Sequence, residues 1–291
     1  MGGPLAITGS TGRLGGRIAR RLARAGVPQR LLVRDPRRAP ELAGAEVAVA
    51  GYGDAAAVRA ALAGVGTVLM VSAAENEHRL DEHRTFVDAA VAAGVRRLVY
   101  TSFAGASPGA TFTLARDHWH TERHIAASGL AYTFLRDNLY LDFLPLMVGA
   151  DGVIRGPAGE GRVAAVALDD IADVAVAVLR AADDRGSPHD GATYELSGPQ
   201  ALTMAEAAAA LTRATGLRVT YRAETVPEAY RSRARYGAPP WQVDVWVSTY
   251  TAIAAGELAE VTDAVDRLCG RPPMSLEQLL GVTARLRELD R

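Results

Sequence analysis

The sequence predicts an α/β fold, a doubly wound parallel sheet with a smaller α+β lobe following it, and three observations predict it. Leu5-Ala6-Ile7-Thr8 is an apolar, β-prone run that enters a glycine-rich turn and continues through Arg17 to Ala25 with apolar residues at helical spacing, closing on Gly26. Short apolar runs then alternate with helix-length segments as far as Arg136. Beyond about residue 140 the alternation loosens. The expected division is 1–140 for the sheet domain, with about 163–198 completing it, and mainly 141–291 for the second lobe, the two packed as one unit because no low-complexity linker separates them.

Composition narrows the functional classes. The chain has 291 residues, 49% apolar and 22% charged, as expected of a soluble globular protein with one large or two closely joined domains. Its net charge of −1 gives no reason to expect nucleic acid as a partner. The single cysteine, Cys269, leaves no internal disulfide and fits a reducing cytoplasm, the expected location. There is no signal-like opening and no uninterrupted apolar run of about eighteen residues, so neither export nor a membrane is expected. All 32 basic residues are arginines. A chain without lysine forms no Schiff base and holds no Tyr-x-x-x-Lys couple, because arginine stays protonated at any working pH.

In chain order, the first turn carries Gly9, Thr11, Gly12, Arg13, Leu14 and Gly15. In a strand-to-helix turn one glycine permits the bend, one lets the backbone approach a pyrophosphate and one lets helix and strand pack closely, so a dinucleotide would meet the free N–H groups of the helix. The second strand, Gln29 to Val33, ends at Arg34-Asp35-Pro36-Arg37-Arg38. The tip of this strand faces the adenosine ribose in such folds, and Arg34, Arg37 and Arg38 around one acid favour a 2′-phosphate, hence NADP(H), with NAD(H) as the second option through Asp35. A solvated basic turn is the alternative. Glu46 to Ala50 reads as a strand, and Asp54 as the cap of a helix through Leu62. Thr67 to Val71 is a buried strand with Met70 in the core, stopping at the small residues Ser72, Ala73 and Ala74, which allow a cofactor to lie close. An amphipathic helix from about Glu77 to Ala93 precedes Arg97 to Thr101, which opens into Ser102 and Phe103. A helix over about 114–128 leads to the strand Ala131 to Arg136, with Asn138 and Tyr140 beyond it. Ligands of a parallel sheet lie at the carboxyl ends of its strands, which collects these residues into one candidate site.

The second half starts a helix at Asp169-Asp170, returns a strand at Ala192 to Ser197, and shows a capping-box pattern at Thr203 and Glu206 before an alanine-rich helix to Thr215. Arg218 to Tyr221 reads as another strand, and the segment from Val226 onward is mostly helical, broken at Pro239-Pro240 and Pro272-Pro273.

Gly9-Ser10-Thr11-Gly12-Arg13-Leu14-Gly15, Val33-Arg34-Asp35-Pro36, Tyr52-Gly53-Asp54, Tyr100-Thr101-Ser102, His118-x-x-Thr121-Glu122, Tyr132-Thr133-x-Leu135-Arg136 and Tyr194-Glu195-Leu196-Ser197-Gly198 together resemble the NmrA-like atypical short-chain dehydrogenases, and most of all the type 2 NAD(P)H:quinone oxidoreductases. The resemblance runs to about residue 222. It implies a Rossmann-type domain, a small C-terminal lobe, NADPH as cofactor and a quinone or related electrophile in the cleft between them. Gly51 departs from the pattern, standing where relatives often carry an acid before Tyr-Gly-Asp.

Quinone reduction suits a site without lysine, since hydride transfer to a quinone gives a stabilised hydroquinone anion and the protein needs mainly to position two planar rings. His118, Ser102 and Tyr140 are the candidate catalytic donors, with Thr101, Phe103 and Asn138 beside the cofactor. A helix-surface or capping role is the alternative for His118, and core packing for Trp241, Trp246 and Tyr250, which otherwise suit an apolar cover over a flat substrate. His120 and His124 share a helix face but lack the further ligands of a metal site, and no metal is expected. A dinucleotide-sensing regulator and a reductase tailoring a polycyclic metabolite are the competing functions, and a homodimer is open.

Overall fold

The structure, a computed structural model, describes residues 4–183 and 186–289. The chain opens β1 (Leu5–Thr8), α1 (Arg13–Arg24), β2 (Gln29–Val33), β3 (Ala45–Val49), α2 (Ala55–Ala61), β4 (Thr67–Met70), α3 (Arg79–Ala92), β5 (Arg97–Phe103), α4 (Thr113–Ala127) and β6 (Ala131–Asp137). It continues with β7 (Val153–Gly156), β8 (Arg162–Val163), α5 (Leu168–Arg180), β9 (Ala192–Leu196), β10 (Leu202–Thr203), α6 (Met204–Thr215), β11 (Thr220–Ala223), α7 (Val226–Arg233), α8 (Pro240–Ala254), α9 (Ala264–Cys269) and α10 (Leu276–Leu289).

Seven strands form one sheet in the order β3-β2-β1-β4-β5-β6-β9, and the pairings among β1 to β5 are parallel. The order reverses direction beside β1, a switch point at whose carboxyl side parallel sheets bind ligands. The alternating runs are strands because they are buried on both faces: Ile7, Leu31, Leu69, Leu98 and Tyr100 have no exposed surface. One core cluster packs Val58, Leu62, Phe86, Val87 and Ile125 of the helices against Val68, Met70, Leu98 and Tyr100 of the strands. Elsewhere Arg21 of α1 donates to Asp173 of α5 at 2.7 Å. Asp54 caps α2 by accepting from the Ala57 amide at 3.0 Å, as its position predicts.

The chain divides into two compact units, residues 1–108, 117–136 and 171–194 in the first, and 109–116, 137–170 and 195–291 in the second. The exchange of short segments is invisible to a linear reading, and 171–194 falls in the first unit. In the second unit β7 pairs parallel with β11, and β8 antiparallel with β10. Thr203 and Glu206 form the expected capping box on α6. The strand expected at Arg218 lies two residues later, where the Thr220 amide bonds the Gly152 carbonyl. Tyr250 is a core side chain here, for a Cβ on Gly156 would stand 2.3 Å from its ring. No helix among the described residues is long and apolar enough to cross a membrane.

Candidate functional site

The glycines of the first turn divide the expected work among them. Gly9 adopts φ +65°, a left-handed bend that a Cβ disfavours. A Cβ on Gly15 would lie 2.3 Å from the Gly9 carbonyl oxygen, so α1 meets β1 at this distance only without one. Gly12 is the N-cap of α1 and supplies no side-chain cap, and the first helical turn contains no acid. The N–H groups there are therefore not neutralised by the helix itself, the condition for holding an anion. Beside them the Ser10 hydroxyl is buried with no hydrogen-bond partner, a polar atom whose desolvation a ligand would offset. These features fit a dinucleotide pyrophosphate, which the backbone N–H groups around Gly12 to Gly15 would hold. Thr11, Arg13 and Leu14 complete the turn, the first two exposed and Leu14 anchoring the helix in the core.

At the tip of β2, Asp35 is already committed. Its Oδ1 accepts from the Arg37 amide and Nε, and its Oδ2 from Arg37 Nη2 at 3.0 Å, which holds the carboxyl below its ordinary pKa. Arg34 and Arg38 are exposed beside this neutralised acid. The turn thus presents net positive charge, with its one carboxylate satisfied by Arg37.

The ledge after β4 is pinned from beneath. The Ser72 amide donates to Thr101 Oγ1 at 2.9 Å, and the Ala73 amide to His83 Nε2 at 2.9 Å. Arg79 Nε donates to the Ala73 carbonyl at 3.0 Å, and the Tyr52 hydroxyl to the Val71 carbonyl at 2.5 Å while also meeting Thr8 Oγ1. Ala74 follows, exposed.

Arg79 continues inward, Nη2 lying 2.9 Å from His118 Nε2, and His118 Nδ1 lies 2.9 Å from the Tyr100 hydroxyl. A guanidinium only donates, so Nε2 accepts and the ring proton sits on Nδ1, donating to Tyr100. His83 is likewise neutral: Nε2 accepts from Ala73, leaving Nδ1 to donate to Thr121 Oγ1 at 2.9 Å. Burial and the nearby Arg79 charge push the pKa of both histidines well below the ordinary value. At 5% exposure His118 has both ring nitrogens engaged, Nε2 by Arg79 and Nδ1 by Tyr100.

Ser102 is also engaged, its hydroxyl donating to Glu122 Oε1 at 2.6 Å, while Arg136 grips both Glu122 oxygens at 2.8 and 2.7 Å. Phe103 is half-buried, its ring 6.1 Å from that of His118. Asn138, buried to 3% exposure, donates through Nδ2 to the Leu258 carbonyl at 3.0 Å and accepts from the Leu139 amide at 2.7 Å, which braces the chain after β6. Tyr140 is half-buried, stacked on Phe143 with ring centroids 5.6 Å apart, and its hydroxyl donates to Asp137 Oδ2 at 3.3 Å. His124 pairs with Asp88 at 2.7 Å, and the described residues contain no cluster of metal-ligating groups.

Sequence reasoning missed Arg79 and His83 beneath the ledge, although they had a visible signal: they stand four residues apart on the same face of α3 as Phe86, polar residues at positions that should be apolar.

A glycine cradle at the switch point of a doubly wound sheet, with a basic tip on the neighbouring strand, defines a dinucleotide-binding α/β protein. The NmrA-like family matches residues 2–241, and the chain belongs to that family. It is 35% identical to quinone oxidoreductase 2 of Escherichia coli strain K12, over 94% of this chain and 96% of that protein. The crystal structure of the NADPH-dependent quinone oxidoreductase QOR2 from Escherichia coli complexed with NADPH superposes with a TM-score of 0.85 at 33% identity, covering 96% of this chain and 99% of that one. The Citrobacter sp. triphenylmethane reductase complexed with NADP(H) gives 0.84 at 30% identity, with 96% and 99% coverage.

Proposed function

We propose that this NAD(P)H-dependent oxidoreductase takes NADPH and transfers its hydride to a quinone or similar conjugated electrophile. The observation that carries the reading is the cradle at Gly9 to Gly15 in a chain without lysine: it is equipped to hold a dinucleotide, and the Tyr-Lys acid couple of alcohol chemistry is absent. Its similarity to a quinone oxidoreductase over nearly the whole chain supports the acceptor class. Bound NADPH supplies the hydride; the protein orients it through the turn at Gly12 to Gly15, the arginines at the β2 tip and the pinned ledge at Ser72 to Ala74.

The test is the fall in NADPH absorbance with purified protein and a panel of quinones. Quinone-dependent oxidation is expected; binding of NADPH with no acceleration by any quinone would overturn the acceptor assignment. A second prediction addresses cofactor choice. Arg34→Asp is expected to weaken NADPH roughly tenfold to a hundredfold, the value of a charge-assisted phosphate contact, while NADH is barely affected. Equal losses for both cofactors, measured by titration, would show that Arg34 does not read the 2′-phosphate.

A further inference from the structure

Ser10 is the second residue of the tight turn that the Gly12 amide closes on the Gly9 carbonyl at 2.8 Å. The turn is hemmed in on both flanks: a Cβ on Gly9 would stand 3.0 Å from that of Val71, just past β4, and a Cβ on Gly16 would stand 3.0 Å from the Ser10 carbonyl oxygen. Of the two residues at the tip, Thr11 is exposed and Ser10 is only 2% exposed, so the serine side chain is folded in where its neighbour faces outward. Its Oγ meets no hydrogen-bond partner. The other described side chains with a buried, unpartnered atom are each engaged through a second atom: Gln29 Nε2 donates to the Ala19 carbonyl at 2.8 Å, Arg79 Nε to that of Ala73 at 3.0 Å, and Asp137 Oδ2 accepts from Tyr140. Ser10 has a single polar side-chain atom, and it is wholly unsatisfied.

A buried hydroxyl without a partner costs stability that alanine, of nearly the same shape, does not. The fold alone gives no return for that cost. A diphosphate does, because its oxygens only accept and a serine hydroxyl can donate to them.

We propose that Ser10 is a binding residue for the diphosphate of the dinucleotide, its hydroxyl donating to a phosphate oxygen, so that the turn carries a side-chain donor in addition to the N–H groups of α1. The proposal rests on the reading of this turn as the dinucleotide seat. A hydroxyl with no competing partner gives a ligand more than a surface serine does, since no hydrogen bond is surrendered when the new one forms. Ser10 therefore acts on the part that NADPH and NADH share, whereas Arg34 acts on the 2′-phosphate.

The test is Ser10→Ala, read by two measurements that involve no turnover. The thermal midpoint without ligand is expected to rise by about 2 °C, because an unsatisfied group is removed. Fluorescence titration is expected to show about a tenfold loss of affinity, the value of one hydrogen bond to a charged group, for NADPH, NADH and ADP-ribose alike. A residue that serves only the fold cannot give a gain in stability together with a loss in affinity. A lower midpoint in Ser10→Ala overturns the proposal, since the hydroxyl then has a partner within the protein. Unchanged affinity for the three ligands overturns it as well, and so does a loss confined to NADPH, which would place the effect at the 2′-phosphate. A parent that binds none of the three fails differently, removing the dinucleotide reading and the role of Ser10 with it.

Discussion

Gly15→Ala is expected to weaken NADPH binding by about 100-fold or more, because its Cβ would sit 2.3 Å from the Gly9 carbonyl oxygen and 2.9 Å from that of Thr8. Neither contact can be relieved by turning a side chain, since both involve backbone. The helix must move off the strand, and the N–H groups meant for the pyrophosphate move with it. Fluorescence titration with NADPH reads the loss, and circular dichroism establishes that the sheet persists. Gly26→Ala is the comparison: that glycine has φ +69° but nothing within 4 Å of the point a Cβ would occupy, so it should cost stability with little change in affinity. Parental affinity in Gly15→Ala would show that the turn does not seat the pyrophosphate.

The second large effect is expected in Glu122→Ala, at about 3 kcal/mol of folding stability. Glu122 is 4% exposed and is held by the Ser102 hydroxyl and by two bonds from Arg136. Truncation leaves the guanidinium without its principal counter-charge and the hydroxyl without its acceptor, beneath the end of β5. Marginal stability makes such a loss a large share of the total. Urea unfolding should show it, with Glu122→Gln losing less because one acceptor for Ser102 remains. A midpoint shift worth under about 1 kcal/mol would mean that Arg136 finds another partner at little cost.

The two residues in these predictions differ in how plainly the sequence shows them. Gly15 is legible because its constraint is local: strand, glycines and helix follow one another within a dozen residues, and the same locality makes Asp54 and the Thr203–Glu206 box readable. Glu122 looks like any helical acid until β5 and β6 bring Ser102 and Arg136 against it from 20 and 14 residues away. The surroundings of His118 are hidden for the same reason, since Arg79, 39 residues earlier, occupies its Nε2. The short strands β7 and β8 carry too few residues for an alternation to register, and they exist because β11 and β10 arrive beside them.

The ledge at Val71 to Ala73 has a consequence for selectivity. Its amides are spent on Thr8, Thr101 and His83, and the carbonyls of Val71 and Ala73 on Tyr52 and Arg79. A surface whose polar backbone groups are turned inward offers a ligand little but contour. Under the proposed reading such a ledge would gauge the thickness of a dinucleotide lying on it and not its charge, and the choice between NADPH and NADH would be left to Arg34 at the tip of β2.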